Sequence, residues 1–169
     1  MSPLATRRLR LRPCSLDDID ALHAFCTNPE IRRFLFDDRP IGRCEAEALI
    51  HASAASFDRR GYGLWLFADA QSLAGFAGFL DAGEGPPRLV FAIRPDLWGS
   101  GYATEAANAV VDYALTGLAL DHVEADADEP NAASIAVLEK LGMRRTGRGV
   151  IEGRPLVFYE LRHLRPLSV

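Results

Sequence analysis

The sequence predicts an α+β fold (mixed α/β), with one central sheet of about seven strands and helices packed on it. Three observations carry that expectation. Seven segments alternate with period two or run continuously apolar, as strands do. Five segments repeat apolar residues at helical spacing. At the centre a strand, a helix, a strand and a helix follow one another, which makes the sheet mixed.

Residues 7–13 alternate as the first strand, through Arg8-Leu9-Arg10-Leu11-Arg12. Ser15-Leu16-Asp17-Asp18 has the S-x-x-D form of a capping box, with acids in the first turn. It opens a helix with Ile19, Leu22, Phe25 and Cys26 on one face. Asn28-Pro29 starts a second, short helix bearing Ile31, Phe34 and Leu35. A longer helix, about 43–59, aligns Ala46, Leu49, Ile50, Ser53 and Phe57. Residues 62–69 and 72–81 read as a hairpin. After a turn at Gly83–Pro87, Leu89-Val90-Phe91-Ala92-Ile93 is a continuous apolar run, expected of a strand buried on both faces. A helix at about 101–118 carries Ala103, Ala106, Val110 and Ala114 on its apolar face. A strand at 122–127, a helix at Asn131–Leu141 and two strands near 144–151 and 155–163 complete the order. The turn between the last two is Glu152-Gly153.

The chain has 169 residues, is 49% hydrophobic and 25% charged, and carries a net charge of −4. Those proportions fit one globular domain over residues 1–169, with its core at about 5–163. Disorder is excluded by the apolar content. The longest apolar runs, Leu64–Ala68 and Leu89–Ile93, are far shorter than the roughly 20 residues of a membrane span. A pI of about 5.6 argues against a nucleic-acid module. Cys14, Cys26 and Cys44 form no disulfide framework, and His23, His51, His122 and His163 have no metal-ligand spacing, so no metal is expected. No apolar signal-peptide region opens the chain, so a reduced cytoplasmic setting is expected. Lys140 is the single Lys, and the remaining basic residues are Arg.

The segment that carries chemistry runs from Ile93 to Glu105 through Arg94-Pro95-Asp96-Leu97-Trp98-Gly99-Ser100-Gly101-Tyr102-Ala103-Thr104. A buried strand passes through Gly-x-Gly into a helix. The first N–H groups of a helix have no internal partner, and its dipole is positive at that end. Glycines let an anion approach the backbone closely, so the segment reads as a phosphate or pyrophosphate site. A structural turn is the equal alternative on geometry alone. Neither a Walker A loop nor a G-x-G-x-x-G fingerprint is present.

Trp98-Gly99-Ser100-Gly101-Tyr102-Ala103 resembles the acetyl-CoA pyrophosphate loop of the GNAT superfamily of N-acetyltransferases, matching at Gly101 and Ala103. Trp98 replaces the usual Arg or Gln, and the form W-G-x-G-Y-A-T-E-A is similar to the RimJ/RimL-like branch. Arg8–Pro13 resembles that branch's opening strand. Asn131-Ala132-Ala133-Ser134, followed by Val137–Met143, resembles its N-x-x-S…L-E-K-L-G-F segment. The resemblance covers about residues 5–163 in order.

The resemblance implies a mostly antiparallel sheet and acetyl-CoA as co-substrate. Pantetheine would lie along Phe91, Ala92, Ile93 and Arg94, and amides of Gly99, Ser100, Gly101, Tyr102, Ala103 and Thr104 would hold the pyrophosphate. Arg94 could add charge there, or could be an ordinary strand-end Arg. Asn131 is a favoured N-cap and could also touch pantetheine. Ser134 would protonate the leaving thiolate, since Leu138 stands where many members carry Tyr. Glu152 is a candidate base, with a water relay as the alternative. His122, Glu124 and Asp126 share one strand face, better read as solvated than as catalytic. Phe34, Phe36, Tyr62 and Trp65 are acceptor-side aromatics or, more simply, core.

The expected activity is acetyl transfer from acetyl-CoA to a primary amine by direct attack in a ternary complex. The amine is a protein N-terminus or a small molecule, and dimers are frequent in the branch. Two other readings are a non-catalytic acyl-CoA-binding module and a nucleotide-binding protein.

Overall fold

The computed structural model describes residues 3–70, 72–80, 83 and 85–163. Eight strands form one sheet: β1 (Leu4–Ala5), β2 (Arg10–Pro13), β3 (Leu64–Ala68), β4 (Leu73–Leu80), β5 (Arg88–Ile93), β6 (His122–Asp128), β7 (Arg144–Ile151) and β8 (Arg154–Arg162). Their spatial order is β1-β2-β3-β4-β5-β6-β8-β7. Only β5 and β6 run parallel; every other neighbouring pair is antiparallel. Five helices, α1 (Ile19–Thr27), α2 (Pro29–Leu35), α3 (Arg43–Arg60), α4 (Tyr102–Asp112) and α5 (Ala132–Lys140), fill the connections. The expected tight turns fall partly on 71, 81, 82 and 84, outside the described residues.

Period-two alternation in β3 explains the layering. Leu64 and Leu66 join Phe76 in a core with Leu22, Phe25, Ile31 and Ile50 of α1–α3. Trp65 and Phe67 point to the opposite face and pack with Phe79, Val110 of α4 and Leu138 of α5. Tyr62 and Trp65 are therefore core residues. So is Leu138, 1% exposed, a hydrocarbon side chain with no proton to donate.

Two expectations are corrected. Residues 7–13 are not one strand: the chain bends at Arg7–Arg8, and Leu4–Ala5 pairs with Arg10–Leu11 as a small hairpin. The cause is Thr6, whose hydroxyl accepts the Leu9 N–H at 2.9 Å and closes the bend. The helix at 101–118 is α-helical only to Asp112, and Tyr113–Gly117 widens into a π-turn.

The Ser15–Asp18 box carries more than a cap. Buried Asp18 accepts the Ser15 N–H at 2.8 Å and both Arg12 terminal nitrogens, at 2.5 and 2.7 Å, tying β2 to the entry of α1. Burial opposes ionisation of Asp18, but the Arg12 guanidinium and the Ser15 groups outweigh it and hold the carboxyl below its usual range. A depressed folded pKa contributes stability above the unfolded value, lost as pH falls through the folded one. Asp18→Asn is thus expected to cost about 1–2 kcal/mol at neutral pH. Urea titrations of both proteins should show that gap closing once the pH drops below about 4.

Candidate active site

The site begins with a pairing that stops early. β5 and β6 share a single register pair, Arg88↔Glu124, supported by the Glu124 N–H bonded to the Pro87 carbonyl at 3.0 Å. The Arg94 N–H donates to Ala74 O at 2.9 Å, so even-numbered main-chain groups of β5 face β4 and odd-numbered ones face β6. Among the described residues no further register pair joins β5 to β6, so the Phe91 N–H and C=O and the Ile93 N–H lie outside that ladder. The Ile93 carbonyl is taken by the Trp98 indole N–H at 2.7 Å. Val90, Phe91 and Ala92, expected to be fully buried, are only half-buried because β6 diverges from them.

A cavity of about 630 Å³ opens where the strands part. Phe91, Ala92 and Ile93 form part of one wall, and α5 presents Ala133, Ser134, Val137 and Lys140. Lys140, a solvated helix residue by sequence, thus borders the cavity.

One end is built by Trp98, Gly99, Gly101, Tyr102, Ala103 and Thr104. Gly99 and Gly101 both take left-handed φ, +73° and +80°, which is why the loop needs glycine there. Gly101 caps α4, and its carbonyl accepts the Glu105 N–H at 3.0 Å. The amides of Tyr102, Ala103 and Thr104 precede that first helical bond and stay available to an anion. The loop is open at Gly99, where a Cβ would meet nothing within 4 Å. The residues therefore fit a bound pyrophosphate.

Arg94 and Ser100 are placed differently from expectation. The Arg94 guanidinium binds Asp69 at 2.5 Å, Asp96 at 2.6 Å and Ser72 at 2.7 Å, and Arg94 does not line the cavity. These acids hold its pKa above the ordinary Arg value. Asp96, two residues on, was a signal for this local pairing. Ser100 lies outside the lining, and its carbonyl is bound by Arg8 at 2.9 Å.

The lining is also acidic. Glu30, Asp37, Asp126, Asp128 and Glu152 contribute to it together with Arg154 and Phe34. Of that strand face Asp126 borders the cleft, as does Asp128 beyond it, while His122 and Glu124 are not in the lining. Asp128 is 7% exposed. Burial first, then the Asp126 carboxylate, pushes its carboxyl above the usual range, while Arg154, 2.6 Å away, pulls the other way. Arg154 also pairs with Asp37. Sequence reasoning missed Asp128 because its burial depends on which strands flank it. Glu152 is exposed, with φ +50° ahead of Gly153 at +81°, the shape of a two-residue hairpin turn.

Asn131 caps α5: its Oδ1 accepts the Ser134 N–H at 3.1 Å. The half-buried Ser134 hydroxyl has no protein partner among the described residues.

Residues 8–144 match the profile of a family described as the acetyltransferase (GNAT) domain. An N-acetyltransferase of Bacillus licheniformis called p20 is 28% identical over 153 residues, covering 87% of this chain and 85% of its own. Among solved structures, RimL, a ribosomal-protein alpha-N-acetyltransferase in complex with coenzyme A, superimposes with a TM-score of 0.80 at 17% identity, over 95% of this chain and 98% of its own. A Vibrio cholerae spermidine N-acetyltransferase in complex with CoA and spermine gives 0.77 at 20% identity, over 94% and 97%. At those identities the two structures establish a shared fold.

Proposed function

The chain belongs to the GNAT family of acetyltransferases, and from that premise we propose that it moves acetyl from acetyl-CoA to a primary amine by direct attack in a ternary complex. The observation that carries this reading is the parting of β5 from β6. It leaves main-chain groups at Phe91 and Ile93 outside the ladder, in a cavity also lined by the glycine loop and by carboxylates. Pantetheine amides suit those groups, and the pyrophosphate suits the amides at Tyr102–Thr104. The amine, cationic in solution, suits the five carboxylates of the lining.

An ammonium must lose a proton before it attacks. Asp128 is buried and its carboxyl is held above the usual range, the direction a general base requires. Glu152 also lines the cavity, but it is exposed. Nitrogen then bonds to the carbonyl carbon, the carbon–sulfur bond breaks, and Ser134 supplies a proton to the thiolate. The buried Cys14 and Cys26 and exposed Cys44 are all free thiols. Among the described residues, no helix is long and apolar enough to cross a membrane.

The acceptor is either a protein N-terminal amine or a small polyamine-like molecule. The test is thiol release from acetyl-CoA across ribosomal-protein N-terminal peptides, polyamines and neutral amines. Cationic acceptors are expected to turn over, with the rising limb of the pH profile displaced in Asp128→Asn but kept in Glu152→Gln. CoA binding without thiol release from any amine would identify a non-catalytic acyl-CoA module instead.

A further inference from the structure

The hairpin loop at residues 6–9 reaches across to the anion-binding end of the cavity. The Arg8 guanidinium donates to the Ser100 carbonyl through Nη1 at 2.9 Å and to Glu105 through Nε at 2.5 Å. Its own backbone N–H also donates to Glu105, at 2.9 Å, and Thr6 adds its hydroxyl to the same carboxylate. The guanidinium lies over the Tyr102 ring, 4.3 Å from its centroid. Its Nη2 would sit 3.4 Å from a Cβ on Gly101.

Glu105 presents an electrostatic conflict. It is an acid in the first turn of α4, the turn whose free amides face the anion. A bare carboxylate there would repel a phosphate. The structure resolves the conflict by turning Glu105 toward Thr6 and Arg8, its side chain 18% exposed. Burial opposes its ionisation, yet the Thr6 and Arg8 groups keep the carboxyl below its usual range.

We infer that Arg8 is a positioning residue of the donor site: it fixes the Gly99–Gly101 loop through the Ser100 carbonyl and cancels the Glu105 charge beside the bound phosphates. The cation that sequence reasoning sought at Arg94 is thereby supplied from the first hairpin. The inference rests on the assignment of this cavity to acetyl-CoA. A planar guanidinium can bind a carbonyl and a carboxylate at once, whereas a Lys ammonium supplies charge without that fork.

The test combines calorimetric CoA binding with steady-state kinetics on the full chain. Wild-type protein that fails to bind CoA would overturn the cavity assignment, not the role of Arg8. With wild-type binding in hand, Arg8→Gln is expected to raise the Kd for CoA about 10- to 100-fold. The KM for acetyl-CoA should rise with it, while kcat at saturation changes little. With S-acetylpantetheine, which lacks the pyrophosphate, kcat/KM should match wild type, which also reports an intact fold. Arg8→Lys should fall between wild type and Arg8→Gln. The Arg8→Gln/Glu105→Gln double variant should recover part of the CoA affinity, because the uncompensated charge is gone. Unchanged CoA affinity in Arg8→Gln would overturn the inference. So would equal losses with both donors, or a double variant no better than the single one.

Discussion

Gly101→Asp is expected to weaken CoA binding about 100-fold, roughly 2.8 kcal/mol, while leaving the protein folded. Position 101 is the N-cap of α4 and takes φ +80°. Asp is a favoured N-cap residue and tolerates left-handed backbone better than most. Its carboxylate would take up the amides at the start of α4 and sit beside Arg8, whose Nη2 is 3.4 Å from the new Cβ. The protein would then carry its own anion where the pyrophosphate belongs. Gly101→Ala isolates the backbone strain, about 1–2 kcal/mol of stability, without the charge. A calorimetric titration of both variants, with their melting temperatures, separates the two effects. Retained affinity in Gly101→Asp would mean that this loop is not the phosphate site.

Ser134→Ala is expected to lower kcat about 100-fold and to leave the Kd for CoA within roughly threefold. The Asn131 cap uses the Ser134 backbone N–H, not its hydroxyl, so the cap survives, and Ala is a good helix former. Asn131→Ala removes the cap instead and should cost about 1 kcal/mol of stability. Pre-steady-state thiol release against calorimetric binding gives the decisive comparison. Equal losses in turnover and binding would make Ser134 a binding residue, and unchanged turnover would place the proton donor elsewhere.

Much of the scaffold was legible because its signals are local. Asn131 was readable as a cap, and its Oδ1 accepts the Ser134 N–H three residues ahead. Leu64–Ala68 was readable as a strand, and its alternation assigns Trp65 and Leu66 to opposite faces. The Gly-x-Gly turn into α4 announced close access to the backbone and free amides. Residues 7–13 misled because a bend closed by Thr6 keeps the same alternation as a continuous strand. Asp126 misled because period two tells which face a side chain takes, not whether that face meets solvent or a cleft.

By itself the sequence determined the family, most of the order of elements and the segment read as the anion site. Each of these rests on residues close together in the chain. The tertiary structure alone decided that β6 parts from β5 after Glu124, which turns a buried strand into the wall of a cavity. It also decided that Arg94 serves Asp69 and Asp96 while Arg8 braces the loop. The physical reason is the same in both cases. The ordinary backbone pattern does not encode whether neighbouring strands stay paired, and an arginine's partner is whichever carboxylate the fold carries to it.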